Sequence, residues 1–68
     1  MIAVIAAADR LYDAADELDR LRGDSVASDW LAHRLRELNR TGQAGDVARV
    51  VALAESLERR IVEIKAAT

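Results

Sequence analysis

A ladder of carboxylates, Asp9, Asp13, Asp16 and Glu17, is the first feature of the sequence that suggests a binding chemistry. Residues 9–24 contain six acids and three arginines, although the net charge of the whole chain is only −2. Like charges four residues apart destabilise a helix by roughly 0.2–0.5 kcal/mol per pair. The ladder is therefore either an ordinary solvated face or a surface kept for a basic protein or a nucleic-acid-binding groove.

Metal binding and catalysis find little support in the residue types. Ca²⁺ takes six or more oxygens from a loop that wraps the ion, which a helical ladder does not offer. His33 is the only histidine, and its helical neighbours Asp29, Trp30 and Glu37 include no hydroxyl to activate. The chain has no cysteine. We predict a surface histidine, no metal, no cofactor and no enzymatic activity.

Trp30, together with His33 and Arg34, forms a second candidate surface for a partner. Tryptophan is enriched at interaction hot spots. It is also the natural large core residue in a chain with one tryptophan, one tyrosine and no phenylalanine. The sequence leaves both interpretations of Trp30 open, a buried core residue or a half-exposed anchor.

Direct DNA binding ranks third among the functional hypotheses. The basic positions are Arg34, Arg36 and Arg40, followed by Arg59 and Arg60 in the last helical stretch. That last stretch also carries three glutamates, whereas DNA-contacting faces are strongly basic because phosphate neutralisation supplies much of the affinity.

Three amphipathic helices, at about residues 2–22, 26–40 and 46–64, must position these side chains. Apolar residues recur at steps of three and four in each segment, and the chain has no proline to interrupt a helix. The first helix has its apolar face at Val4, Ala8, Leu11, Ala15 and Leu18. We expect Ile5, Tyr12 and Leu21 to widen that face.

Short polar turns separate the helices. Gly23 follows the first helix, where glycine enters the left-handed cap conformation without a Cβ penalty. Asp24 or Ser25 should cap the second helix, and Asp46 should cap the third. Connections this short make consecutive helices antiparallel neighbours, so we predict an all-α, three-helix up-down-up bundle.

Heptad-like seams on the first and third helices suggest self-association. A chain of 68 residues rarely gains more than ~3–5 kcal/mol from a single core, and without cysteine it has no disulfide to reinforce it. We therefore expect a homodimer formed through the long first and third helices. The predicted seam consists of Val4, Leu11, Leu18, Val50, Leu57, Ile61 and Ile64.

The apolar amino-terminal stretch is predicted to be the buried start of a helix. It lacks a basic flank, and it ends at Asp9, well short of the ~20 residues that a membrane span needs. The absence of cysteine fits a reducing compartment. We expect a cytoplasmic protein without a membrane segment.

Residues 31–58 resemble a family of short helical proteins from alphaproteobacteria to which no function is assigned. The matching positions in this sequence are Ala32, Arg34, Leu38, Gly42 and Val47. Val50 stands where that family often has an aromatic residue. The resemblance implies a helix–turn–helix arrangement and carries no activity over to this chain.

The function predicted from the sequence is a non-enzymatic module that binds another protein and self-associates. The candidate partner-binding residues are Asp9, Asp13, Asp16, Glu17, Trp30, His33 and Arg34. The alternative is an acidic inhibitor that occupies a nucleic-acid-binding groove, as phage anti-defence proteins do, and a weak DNA-binding regulator is third.

Overall fold

A computed structural model describes residues 2–67, so that Met1 and Thr68 lie outside the description. It contains three helices, α1 (Ile2–Arg22), α2 (Val26–Arg40) and α3 (Val47–Ala67). The all-α class and the three-helix architecture are confirmed. The predicted bounds of α1 and α2 agree with the structure, whereas α3 begins one residue later and continues three residues further than predicted.

Glycine and aspartate shape the two turns. Gly23 and Gly42 have φ angles of +73° and +76°, a region that side chains with a Cβ rarely adopt. The Gly23 N–H donates to the Asp19 carbonyl at 2.8 Å, which ends α1. The Ala48 N–H donates to the Asp46 carboxylate at 3.1 Å, so the predicted cap of α3 is confirmed.

Helices α1 and α3 run parallel, because two side-chain pairs join them at the same offset of 48 residues. Arg10 binds the Glu58 carboxylate through two nitrogens at 2.8 and 2.6 Å. About two helical turns further along, the Lys65 ammonium lies 2.8 Å from a carboxylate oxygen of Glu17. With α2 running back between them in chain order, the topology is up-down-up.

The core is centred on α1 and is rich in alanine. Cα atoms of α1 and α3 approach within 8 Å along their interface. This proximity is possible because small side chains stand between the two backbones. The buried core comprises Ala7, Leu11, Ala14, Ala15, Leu18, Ala27, Leu31, Val50, Ala54, Leu57 and Ile61.

Helix α2 approaches α1 more closely than it approaches α3. In residues 2–67, no Cα atom of α2 comes within 8 Å of a Cα atom of α3. The Cα trace measures 38 × 20 × 14 Å, broader in one lateral direction than in the other. The bundle is therefore open along the side where α2 and α3 face each other.

The residues predicted to form an intermolecular seam lie inside a single chain. Five of them are buried in the core, namely Leu11, Leu18, Val50, Leu57 and Ile61, and Val4 and Ile64 are half-buried. In this conformation a second chain has no access to the five buried side chains. A dimer would therefore have to use another surface.

The expected widening of the α1 apolar face is wrong. Ile5, Tyr12 and Leu21 are exposed, because they lie on the sides of α1 that neither α2 nor α3 covers. None of the helices described between residues 2 and 67 combines the length and the apolar character that crossing a membrane requires.

Candidate functional site

The start of α2 is held in place by a carboxylate of α1. The Ala27 and Ser28 N–H groups donate to the two oxygens of Asp19 at 2.8 and 3.1 Å, and the Ser28 hydroxyl donates to the same carboxylate. These bonds, above all the one from the Ser28 hydroxyl, hold the pKa of Asp19 below its usual value. Ser25 stands at the predicted cap position but makes no side-chain cap bond. Asp24, the other predicted cap, accepts a hydrogen bond from the Val26 N–H at 3.2 Å. The local cap from Asp24 and the tertiary contact from Asp19 therefore share the capping of α2.

A groove of about 560 Å³ opens between α2 and α3. Its floor is formed by Leu18, Ala27 and Leu57, all of which belong to the buried core. We call it the α2/α3 groove. Its walls and its end, taken from the three helices, are formed by Arg22, Val26, Trp30, Ser56, Arg59, Arg60 and Glu63.

Two apolar side chains on the α2 wall remain open to solvent. Trp30 is 39% exposed and Val26, one turn earlier, is 52% exposed. Of the two interpretations of Trp30 left open by the sequence, the structure places this residue at the edge of the groove rather than in the buried core. Exposed apolar side chains beside an open groove are a feature of binding surfaces.

The α3 wall and the groove end are basic. Arg60 lies 3.6 Å from Glu63, and Arg22 lies 3.5 Å from Asp24, both as solvent-exposed pairs at long distance. Exposed pairs of this kind contribute little to stability and are easily exchanged for other partners. Arg59 makes no ion pair within residues 2–67. The groove therefore has more positive than negative charge in a protein that is acidic as a whole.

His33 and Arg34, predicted to share a patch with Trp30, instead converge on Glu37. The His33 Nε2 atom lies 2.9 Å from one oxygen of Glu37, and Arg34 donates to the other at 3.1 Å. His33 is exposed, as predicted. The Asp29 carboxylate accepts a hydrogen bond from the Ser25 hydroxyl at 3.4 Å.

The acidic ladder divides into two parts. Glu17 faces α3, where the Lys65 ammonium lowers the pKa of its carboxyl by hydrogen bonding and by charge. Asp9, Asp13 and Asp16 are exposed and make no ion pair within the described part of the chain. Glu17 thus contributes to the packing of α1 on α3, and only the three aspartates remain available to a partner.

The described residues were also compared with the requirements of a metal site. Across residues 2–67, no group of three histidine, cysteine, aspartate or glutamate side chains is arranged to hold a metal ion. The largest structural feature among the candidate site residues is thus an apolar groove with basic edges.

Sequence reasoning missed the roles of Asp19, Val26 and Arg59. The spacing of Val26 and Trp30 by four residues places them on one side of α2 and was available as a signal. What the spacing does not contain is the distance between α2 and α3. Without that distance, the sequence gives no reason to distinguish Val26 from any residue at the start of a helix, or Arg59 from any solvent-exposed charge.

Comparison with known proteins finds no matching family model, no matching curated protein and no matching solved structure. The resemblance of residues 31–58 to alphaproteobacterial helical proteins stays a prediction.

Proposed function

We propose that this chain is a non-enzymatic binding module that holds a helical segment of another protein in the α2/α3 groove. The observation that carries the proposal is the groove itself. Helices α2 and α3 both pack on α1 but stand apart from each other, and Trp30 and Val26 remain exposed between them.

A helix is the element that best fits this groove, because the groove runs between two helices that pack on a third. Two helices that stand apart on a third leave a channel that a further helix completes, as in a four-helix bundle. Amphipathic helices bind in such grooves through apolar residues spaced at three and four positions. Docking would cover Trp30 and the floor residues Leu18 and Leu57, and desolvated aromatic residues dominate interface energetics.

Capture experiments with the whole chain test this proposal. The tagged wild type is exposed to an extract of cells that produce the protein, in parallel with Trp30→Ala and with Val62→Ala. Val62 is 65% exposed and lies outside the groove, so it serves as the control. Far-UV circular dichroism checks that each variant is folded. We expect Trp30→Ala to lose the partner and Val62→Ala to keep it.

Direct binding then provides the second readout. Trp30 is the only tryptophan, so its fluorescence reports on the groove alone. Addition of the isolated partner should shift the emission to shorter wavelength, because the exposed indole becomes desolvated. A partner that is captured equally by Trp30→Ala, and that leaves the emission unchanged, would contradict the proposal.

The acidic inhibitor is the second candidate function. It is favoured by one observation, that Arg10 is bound to Glu58 of α3 and does not neutralise the adjacent acids Asp9 and Asp13. Replacement of Asp9, Asp13 and Asp16 by asparagine distinguishes the candidates in the same capture assay. Loss of the partner in this variant, with full capture by Trp30→Ala, would favour the acidic inhibitor.

A further inference from the structure

The outer face of α1 carries an exposed stripe that combines acidic and apolar residues. We call it the acidic stripe, and it consists of Ile5, Asp9, Tyr12, Asp13 and Asp16. The steps of four, three and four from Ile5 to Asp16 place these residues on one side of the helix. Tyr12 is 53% exposed and Ile5 is 61% exposed. Arg20, one turn after Asp16, ends the acidic run.

The acidic stripe and the α2/α3 groove are complementary in charge and in shape. The stripe is a convex helix face on which acids surround an exposed aromatic residue. The groove is a concave surface in which three arginines and one glutamate surround an apolar floor and Trp30. Opposed potentials of this kind steer association and fix its register.

We propose that the acidic stripe of a second copy of this chain docks in the α2/α3 groove. The proposal rests on the groove assigned above under the proposed function, and it names one occupant of that groove. Helix α1 of the second copy takes the place of the missing fourth helix.

Tyr12 is the anchor of this contact. Its ring enters the groove beside Trp30, where offset or edge-to-face aromatic pairs contribute beyond their buried area. Asp9 and Asp16, three positions before and four positions after Tyr12, lie on either side of the anchor. They meet the basic wall of the groove, in which Arg59 has no ion pair among the described residues and Arg60 has only a long, exposed one.

The two surfaces lie on opposite sides of α1. Leu11 and Leu18 face the core, and the acidic stripe lies about half a helical turn away from them. A contact between different surfaces of identical chains is heterologous, so it leaves one groove and one stripe unoccupied at the two ends of the assembly. Self-association therefore continues beyond the dimer as the protein concentration rises, unless the rotation closes a ring.

Charge reversal of each surface tests the proposal. One variant carries Asp9→Arg and Asp16→Arg, and the other carries Arg59→Glu and Arg60→Glu. Sedimentation velocity from about 10 µM to about 1 mM measures the average mass of each variant, of the wild type and of an equimolar mixture. We expect the wild type to associate. Each reversed variant alone should have an affinity for itself that is lower by about tenfold or more. The mixture should regain association, because reversed stripes then meet reversed grooves.

Circular dichroism is measured on both reversed variants before sedimentation. If either is unfolded, the neutral pair Asp9→Asn with Asp16→Asn and the pair Arg59→Gln with Arg60→Gln replace them. These neutral variants should weaken association and make it less sensitive to salt than in the wild type.

Three outcomes would overturn the proposal. They are a wild type that stays monomeric over the whole concentration range, an association that both reversed variants retain unchanged, and a mixture that does not recover association. Tyr12→Ala separates this inference from the proposed function. That variant should weaken self-association while still capturing a foreign partner, whereas Trp30→Ala should impair both. A monomeric wild type that captures a partner through Trp30 would refute the inference and leave the proposed function standing.

Discussion

The α1/α3 interface and the α2/α3 boundary differ although all three helices have similar apolar periodicity. Between α1 and α3, small residues such as Ala14 and Ala54 allow close approach, and two ion pairs join the helix surfaces. Between α2 and α3, larger side chains such as Trp30 face a channel that no other element of residues 2–67 fills. The closed interface holds the protein together, and the open boundary is the surface available to other molecules.

Overpacking of the closed interface should have the largest effect on stability. Ala54 is completely buried, so Ala54→Leu adds volume where the helices approach closely and should cost about 1–3 kcal/mol. Urea unfolding followed by circular dichroism measures this change. Ala52→Leu is the control, because Ala52 is exposed on the same helix and should change stability by less than about 0.5 kcal/mol. Equal effects would show that α1 and α3 are not closely packed.

The attachment of α2 to α1 should depend on pH through Asp19. Because folding lowers the pKa of Asp19, its contribution is fully present above the unfolded-state pKa of about 3.9 and is lost as the pH falls through the folded-state value. The melting temperature of the wild type should therefore fall as the pH is lowered from about 5 to about 3.

Asp19→Ala should be less stable than the wild type at neutral pH and should show a smaller fall on acidification. Part of the fall should remain, because the pKa values of Glu17 and Glu58 are also lowered in the fold, by Lys65 and by Arg10. Asp13→Ala is the control, because Asp13 is exposed. The melting temperature of this variant should depend on pH as that of the wild type does. Identical pH profiles for wild type and Asp19→Ala would refute the capping role.

The open boundary should give the smallest effect. Val26→Ala removes apolar surface that is already half in water, so the free energy of unfolding should change by less than about 0.5 kcal/mol. Val62→Ala, the same substitution at an exposed site outside the groove, should behave alike in urea unfolding. A cost of about 1 kcal/mol or more at Val26 alone would mean that the groove is closed by contacts of α2 with α3.

Helix positions and turns could be predicted because local forces determine them. The predicted helix ends agree with the structure to within one residue, except at the carboxyl end of α3. The prediction used the apolar steps of three and four together with Gly23, Gly42 and Asp46. That helix continues to Ala67, where residues of high helix propensity follow the Lys65 contact to α1. The acidic ladder and Trp30 were also identified as candidate surfaces from residue type alone.

The sequence by itself determined that the chain forms helices, where they turn, and which face of each is apolar, since these properties depend on residues within one or two turns. Only the tertiary structure decided that the seam residues Leu11 and Leu57 are buried within one chain, and that Asp19 of α1 caps α2. It also decided that α2 stands apart from α3. Such features depend on how far helices approach each other, and that distance is set by the summed volumes of side chains far apart in the sequence.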